Sequence, residues 1–522
     1  MRSELNSYLK RWAGFAMSVC IVSIVTSAVA RDWPQFRGPE FNGVSRDRIV
    51  KDWIGAVTNP VWRILPGNGL GSVAVISGRV FTQVERPVTG TNRELCLALN
   101  AADGRELWAT PVDIADYPDG GVGFDDGPRT TPAVDGDSVY VLTAYLKLFR
   151  LNVTNGAVIW QRDLPAEYGG TVIKFQNSAS PLLDSGMIYL NCGTNRDGRS
   201  LAALRATDGS EVWRVENEAM THSAPALATI HGVRQLIFAT QSGLIALNPE
   251  TGERLWKFAY PFVYETCIGV SPVVWDDLVF ITGAHAYGQR SVTVKVSLSN
   301  ETFTAAQHWM TNLITSHWMT PVVHEGFLYG LFGIQTFDSP NAQLKCIDLR
   351  TGAQKWSTNG FGRGGVTLVD GHLLTLAENG RLVLSRLNTN AYSEVARFVA
   401  IPGYNGNTNK CWNVPAIADG RVFVRSTSFA GCFDLSLPDL AVAGLQFIDG
   451  HRLQFAVGTA TGTPLSSNRL AQVEVRASAS LDVPLANWTI LTNRPRQNDG
   501  VVEIESTNTN HSARYYIVSE PQ

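Results

Sequence analysis

The stretch NPVWRILPG, residues 59–67, is typical of the last strand of a structural unit, closed by a Pro-Gly stop. Trp62 lies in the middle of this short strand, and the residues before it do not supply further strands of a sheet. A lone strand at the start of a chain must pair with residues from elsewhere. The position of similar tryptophans further along the chain indicates which residues those are.

The same tryptophan-ended strand recurs along the chain, with a turn glycine four residues before the tryptophan. Five copies carry both residues: NAADGRELW (100–108), NVTNGAVIW (152–160), RATDGSEVW (205–213), NPETGERLW (248–256) and DLRTGAQKW (348–356). Two diverged copies end at Trp309 and Phe398. The copies are 42–53 residues apart, which is typical of propeller blades or solenoid units.

A second pattern lies between these strands and consists of two apolar strands joined by a tight turn. Eight copies occur, at residues 75–84, 134–143, 182–191, 226–240, 274–283, 322–331, 368–377 and 417–426. Asp-Gly between alternating apolar runs is a strong hairpin signal. The two patterns together predict blades of four strands, with the tryptophans packed between neighbouring blades.

Eight hairpins require eight outer strands, yet no Gly-x-x-x-Trp follows the last hairpin. The strand VWRI (61–64) can supply the missing one, which closes the ring and leaves no sheet edge bare. We therefore predict an all-β protein: an eight-bladed β-propeller of four-stranded antiparallel blades, closed by an N-terminal strand. Residues after about 437 alternate like strands but lack the blade pattern, which predicts a small C-terminal β-sandwich-like module behind a linker at 435–444.

The predicted domains are a signal peptide (1–30), the propeller (31–440) and the C-terminal β-rich module (445–522). Residues 12–30 are apolar, follow a basic start and end in Ala-Val-Ala, as cleaved export signals do. An uncleaved membrane anchor is the alternative. We expect an exported monomer, periplasmic or at the cell surface, with no membrane span after cleavage.

The charge and the cysteines exclude two classes of function. A net charge of −3 with 17% charged residues argues against a nucleic-acid-binding surface. Six cysteines follow the signal segment, but none are adjacent and none form Cys-x-x-Cys. A zinc site is therefore not predicted, and we expect buried free thiols.

These blades resemble the pyrroloquinoline-quinone (PQQ) repeat family over roughly residues 60–440. The segment WPQFRGPEFNGVS (33–45) is similar to the N-terminal signature of exported bacterial PQQ-like propellers, and the C-terminal strands are similar to tail modules of secreted bacterial proteins. The resemblance implies the fold of the quinoprotein alcohol dehydrogenase-like superfamily. That superfamily includes dehydrogenases as well as non-catalytic, BamB-like scaffold lipoproteins, so it does not imply one function.

Propellers bind ligands in the loops that lead into their innermost strands, at one mouth of the central channel. A recurring small-Pro step, such as Thr131-Pro132, marks the start of these strands. The residues just before the steps are the candidate ligand-binding residues: Arg129, Gln176, Asn177, His222, His317, Trp318, Arg363, Lys410, Trp412 and Asn413. This set contains three cations and no carboxylate, which predicts a neutral or anionic ligand, held by stacking and hydrogen bonds. The alternative is that these groups only line a wet channel.

We predict no catalytic residues, no metal site and no required cofactor, although PQQ with calcium is an alternative. The resemblance implies that a quinoprotein dehydrogenase carries adjacent cysteines, which stack on the cofactor. It implies that such an enzyme also carries calcium ligands and a carboxylate base. The chain has no adjacent cysteines, and Asp125 and Asp126, the nearest carboxylates, lie in a stretch typical of a solvated turn. The favoured function is an exported, non-catalytic binding or scaffold protein with a small-molecule, glycan or protein ligand at the mouth. The alternatives are a PQQ- and calcium-dependent dehydrogenase of alcohols or sugars, and a cell-surface glycan-binding protein.

Overall fold

The computed structural model describes residues 32–117, 126–193, 197–262, 268–283, 290–333 and 342–448, and shorter stretches between 452 and 519. The chain divides into two compact units, one ending at Ser436 and one beginning at Leu437. The predicted signal peptide lies outside the described residues. Among the helices that are described, none is long and apolar enough to cross a membrane.

Over the described residues, the first unit contains seven four-stranded sheets and one five-stranded sheet, numbered here as blades 1–8 in chain order; the fifth strand, Val44–Ser45, adds to blade 7. Two short strands precede them, β1 (Val44–Ser45) and β2 (Trp62–Ile64), with a 3₁₀ turn at Gly55–Thr58. Blades 1 and 2 contain β3 (Ala74–Ile76), β4 (Arg79–Val88), β5 (Thr91–Asn100), β6 (Glu106–Ile114), β7 (Ala133–Asp135), β8 (Ser138–Leu142), β9 (Lys147–Asn152) and β10 (Val158–Asp163), followed by the short helix α1 (Leu164–Tyr168). Blades 3 and 4 contain β11 (Leu182–Asp184), β12 (Met187–Asn191), β13 (Leu201–Arg205), β14 (Glu211–Val215), β15 (Ala226–Ile230), β16 (Val233–Thr240), β17 (Gly243–Leu247) and β18 (Arg254–Ala259).

The second half of this unit continues in the same way. Blades 5 and 6 contain β19 (Val273–Trp275), β20 (Leu278–Thr282), β21 (Ser291–Ser299), β22 (Thr302–Thr311), β23 (Val322–His324), β24 (Phe327–Phe332), β25 (Gln343–Asp348) and β26 (Gln354–Thr358). Blades 7 and 8 contain β27 (Gly365–Val369), β28 (His372–Leu376), β29 (Arg381–Arg386), β30 (Glu394–Val399), β31 (Ala416–Ala418), β32 (Arg421–Arg425) and β33 (Ala430–Asp434).

Blade 8 takes its outer strand from the N-terminal end of the unit, which confirms the prediction from residues 59–67. β2 pairs antiparallel with β33, with Trp62 opposite Cys432 and Ile64 opposite Ala430. The resulting sheet has the order β2-β33-β32-β31. Backbone hydrogen bonds therefore join the two ends of the propeller.

The repeated tryptophans pack between neighbouring blades, as predicted. Trp62 of blade 8 donates its Nε1–H to the carbonyl oxygen of Ala101 in blade 1, at 2.9 Å. A Cβ atom at Gly104 of blade 1 would lie only 2.7 Å from the Trp62 ring, and Trp108 lies in the same way against Gly156 of blade 2. The glycine of the repeat is therefore required because the tryptophan of the preceding blade lies directly against it.

Hydroxyl groups at the small-Pro steps link the innermost strands of neighbouring blades. The backbone N–H of Ser72 donates to Thr131 Oγ1 at 3.0 Å, and the N–H of Thr131 donates to Ser180 Oγ at 2.9 Å. Ser72 Oγ also donates to the carbonyl of Val414 at 2.6 Å, which joins blades 1 and 8. Thr131 and Ser180, the small residues of two of these steps, thus have a structural role at the mouth.

The second unit contains two antiparallel sheets over its described residues, with strand orders β34-β35-β39-β38 and β37-β36-β40. Its elements are β34 (Leu440–Ile448), β35 (Arg452–Thr459), α2 (Ser467–Leu470), β36 (Glu474–Ser478), β37 (Thr489–Ile490), β38 (Arg496–Asn498), β39 (Val501–Glu505) and β40 (Tyr515–Ser519). β34 begins inside the stretch 435–444 that the sequence predicts as a linker, because residues 440–443 pair with β35.

The cysteines agree with the expectation of free thiols wherever they are described. Cys96, Cys192, Cys346, Cys411 and Cys432 are buried and unpaired. Cys267 lies outside the described residues.

Candidate functional site at the channel mouth

A cavity of about 190 Å³ lies at the mouth of the propeller, where the innermost strands begin. Six of the ten predicted residues line it: Arg129, His222, His317, Trp318, Trp412 and Asn413. They converge although 190 residues separate His222 from Trp412. The repeat explains this, because the inner strands of all blades run in the same direction along the channel and the preceding loops therefore meet at one end.

The other four predicted residues are buried behind the wall of the cavity. The carbonyl of Gln176 accepts a hydrogen bond from His222 Nε2 at 2.9 Å. The amide of Asn177 donates to the carbonyls of Thr143 and Ala179, at 3.3 and 3.2 Å. Arg363 and Lys410 are buried as well. These four residues support the residues that line the cavity.

Three aromatic rings form a row along one side of the cavity. The ring centres of His317 and Trp318 are 4.6 Å apart, and those of Trp318 and Trp412 are 4.9 Å apart. The guanidinium of Arg363 lies 4.4 Å from the centre of the Trp412 ring, and Trp412 Nε1 donates to Glu378 Oε1 at 2.8 Å. Arg363 and Glu378 therefore hold Trp412, which in turn supports Trp318 as a stacking surface.

The prediction that no carboxylate opposes the cations of the mouth is wrong, although two carboxylates shared by three cations leave one positive charge in excess. Asp126 accepts from Arg129 Nη2 at 3.0 Å and also contacts the ammonium of the fully buried Lys410. Arg363 Nε donates to Glu378 Oε1 at 2.7 Å. Apart from two histidines, the basic Arg129 and the acidic Asp126 are the ionisable residues among the described ones that line the cavity, and they form an ion pair.

The sequence gives little sign of either carboxylate. Asp126 lies in a Gly-rich stretch that is typical of a solvated turn, and its burial depends on Lys410, which is 284 residues away. Glu378 lies after β28 and not before a small-Pro step. Both positions are outside the repeat pattern that identified the other mouth residues.

His222 is a neutral hydrogen-bonding group in the wall of the cavity. Its Nε2 faces the carbonyl of Gln176, so this nitrogen carries the proton. Burial, together with the nearby Arg129 and His317, lowers the pKa of His222 to about 3. Both causes act against the imidazolium form, which would lose its hydration and face positive charge.

Phe36 also lines the cavity, although the repeat pattern does not predict a residue there. It belongs to the segment 33–45, which precedes the blades and has no repeat position. The resemblance of this segment to other PQQ-like propellers indicates that it belongs to the fold, but it does not indicate where in the fold the segment lies.

The described mouth residues do not fit PQQ with calcium. Ca²⁺ takes six to eight oxygen ligands, commonly including carboxylates. The described carboxylates of the mouth, Asp126 and Glu378, are already engaged by arginine and lysine side chains. Within the described residues, no group of three or more histidines, cysteines or acids could hold a metal ion. Cys411, which precedes Trp412, is buried and unpaired.

Comparison with known proteins identifies the family. A family model described as outer membrane protein assembly factor BamB, of the PQQ-repeat type, matches residues 92–358, which is just over half of the chain. The chain belongs to this family. BamB of Shewanella oneidensis is 27% identical over 240 residues, covering 44% of this chain and 56% of that protein.

Two further matches have lower identity. Tetrathionate hydrolase of Acidithiobacillus ferrooxidans is 23% identical over 328 residues, covering 56% of this chain and 58% of that protein. The chain thus spans less than three fifths of the length of these curated relatives. The crystal structure of quinohemoprotein alcohol dehydrogenase from Comamonas testosteroni superimposes with a TM-score of 0.54 at 12% identity, covering 80% of this chain and 83% of that one. At this identity the likeness shows the fold alone, which confirms the predicted PQQ-like propeller.

Proposed function

We propose that the protein is an exported, non-catalytic binding protein that holds a small neutral molecule in its mouth cavity. The observation that carries this proposal is the internal pairing of the cavity's charges. Arg129 pairs with Asp126 at 3.0 Å, and Asp126 also contacts the buried Lys410. An anionic ligand would compete with Asp126 for Arg129, and a cationic ligand would compete with Arg129 for Asp126. A neutral ligand leaves the pair intact.

The lining also favours a ligand with a flat apolar face. Trp318 and His317 offer adjacent rings, and Phe36, Leu70 and Val414 add apolar surface. Aromatic stacking contributes about 0.5–1.5 kcal/mol beyond the burial of area. Hydrogen-bonding groups such as His222 and Asn413 lie among these apolar groups and can orient the ligand.

The size of the cavity limits the ligand further. Its volume of about 190 Å³ is below the range of roughly 300–1,000 Å³ that is usual for drug-sized ligands. A glycan could therefore insert only a single terminal unit, and a protein partner would contact the rim. Tetrathionate, the substrate that the name of one relative indicates, is a dianion, and the paired charges disfavour it here.

Binding can be tested by screening neutral aromatic molecules and monosaccharides by thermal shift, with isothermal titration calorimetry of the hits. Trp318→Ala should weaken binding by several-fold or more, because it removes the stacking surface. Trp275→Ala is the matched control, since Trp275 is a partly buried tryptophan that ends the inner strand of blade 5 and does not line the cavity. Equal affinities for both variants would refute the mouth as the binding site.

The non-catalytic part of the proposal has a separate test. The protein is incubated with PQQ and calcium, and cofactor absorbance and dye reduction with alcohols or sugars are measured. We expect neither signal, because the described carboxylates are engaged and no adjacent cysteines occur in the sequence. Substrate-dependent turnover would overturn this part.

A further inference from the structure

The segment 33–45, named here the plug, lies one layer deeper in the channel than the cavity. Trp33 exchanges two backbone hydrogen bonds of 2.8 Å with Val75 of blade 1, and the N–H of Val134 in blade 2 donates to the carbonyl of Pro34 at 2.9 Å. Each contacted residue is three positions further along its inner strand than a lining residue of the cavity, Ser72 or Thr131. At about 3.3 Å per residue, this places the plug about 10 Å below those residues.

The plug crosses the channel at Phe36. The Gln35 side-chain amide donates to the Leu183 carbonyl at 3.0 Å and accepts from the Leu183 N–H at 2.9 Å, which anchors it to blade 3. Arg37 Nη1 donates to the carbonyl of Pro321, at the start of blade 6, at 3.2 Å. Blades 3 and 6 are three blades apart around the ring, so the residue between the two anchors must span the opening.

The remainder of the plug is held in a tight turn against the far blades. The guanidinium of Arg37 donates to the carbonyls of Phe41 and Asn42, at 3.0 and 2.9 Å. Gly43 has a φ of 76°, and a Cβ atom there would lie 2.8 Å from Val322 of blade 6. Val44 then pairs with Leu368 of blade 7 in the parallel strand β1. The plug therefore contacts blades 1, 2, 3, 6 and 7.

We propose that the plug is a permanent part of the ligand site: it closes the channel, and Phe36 is the floor that limits how long a ligand the cavity accepts. The proposal rests on the function proposed above. It assigns Phe36 as a specificity-determining residue, because a phenyl ring at the base of a mostly apolar cavity excludes ligand atoms from the space that it fills.

The first test compares two neutral probes, phenol and 2-naphthol, by calorimetry on the full-length protein. Phe36→Ala lengthens the cavity, so the affinity ratio of 2-naphthol to phenol should rise about tenfold or more. Phe41→Ala is the matched control, because it removes the same side chain from the same segment at a position that does not line the cavity. Binding with an unchanged ratio in Phe36→Ala would overturn the role of the plug while leaving the proposed function standing. Absence of binding of both probes to the wild type and to Phe36→Ala would refute the ligand site itself, and this proposal with it.

The second test needs no ligand and uses hydrogen exchange of backbone amides. Gln35→Ala removes the acceptor of the Leu183 N–H, so this amide should exchange at least about tenfold faster than in the wild type. The amide of Ile188, which lies opposite Leu183 in the sheet, serves as the internal control and should keep its rate. Unchanged protection of Leu183 in Gln35→Ala would show that the plug does not lie in the channel and would overturn the proposal.

Discussion

Replacing Trp62 by alanine tests the closure of the propeller. Trp62 is 6% exposed, donates to the carbonyl of Ala101 at 2.9 Å and packs against Phe423 with ring centres 6.1 Å apart. Truncating a buried tryptophan costs about 3–5 kcal/mol. Because β2 is only three residues long, this loss should release the strand and uncover Cys432, which lies opposite Trp62 and is fully buried.

The assay is alkylation of individual cysteines, followed by mass spectrometry. A loss of 3 kcal/mol corresponds to an increase of about 100-fold in the population that exposes Cys432, since about 1.4 kcal/mol is a factor of ten. In the native state burial also raises the pKa of Cys432 to about 12, which keeps the thiol unreactive.

The matched control is Trp356→Ala in blade 6. Trp356 lies opposite Cys346 as Trp62 lies opposite Cys432, but its strand β26 remains attached through a short turn to β25. Cys346 should therefore gain less reactivity in Trp356→Ala than Cys432 gains in Trp62→Ala. The closure by β2 is refuted if Cys432 is alkylated as slowly in Trp62→Ala as in the wild type and the free energy of unfolding is unchanged.

Three further predictions concern buried ionisable groups, each measured by urea unfolding. Asp126→Asn removes the counter-charge of Lys410 and should cost about 3–5 kcal/mol; adding Lys410→Met should restore part of this, and no restoration would contradict the pairing. Burial raises the pKa of Glu94 to about 8, from the ordinary 4.5. Between these values the native state keeps a proton that the unfolded state loses. The free energy of unfolding should therefore fall as the pH rises from 4.5 to 8, by up to about 1.4 kcal/mol per pH unit. Glu94→Gln should reduce this fall, and an unchanged pH profile would count against it. The pKa of His222 is lowered to about 3, so the unfolded state takes up its proton first and the wild type loses stability as the pH falls from 6.5 towards 3. His222→Asn should lose less stability, and a profile as steep as that of the wild type would contradict the neutral, half-buried imidazole.

The features that repeat in the sequence could be predicted from it. Glycine and tryptophan at a fixed spacing revealed the blades, and Trp62 revealed the outer strand of blade 8, because each copy makes the same contact with the next blade. The convergence of His222 and Trp412 followed from the same regularity, since equivalent positions in a ring share one end.

The features that occur once could not be predicted. Asp126 is buried against Lys410, which is 284 residues away in the sequence, so the local sequence of Asp126 resembles an exposed turn. Gln35 and Arg37 bind backbone carbonyls of blades 3 and 6, and a backbone carbonyl leaves no mark in the sequence. The charge balance of the mouth and the path of the plug therefore needed the three-dimensional arrangement.

The most direct test is a crystal structure of the protein soaked with the best neutral compound from the thermal-shift screen. We predict that the compound lies in the mouth cavity against Trp318 and above Phe36, with the Arg129–Asp126 ion pair intact. A compound located outside the mouth, or one whose binding breaks that ion pair, would contradict the proposed site for a neutral ligand.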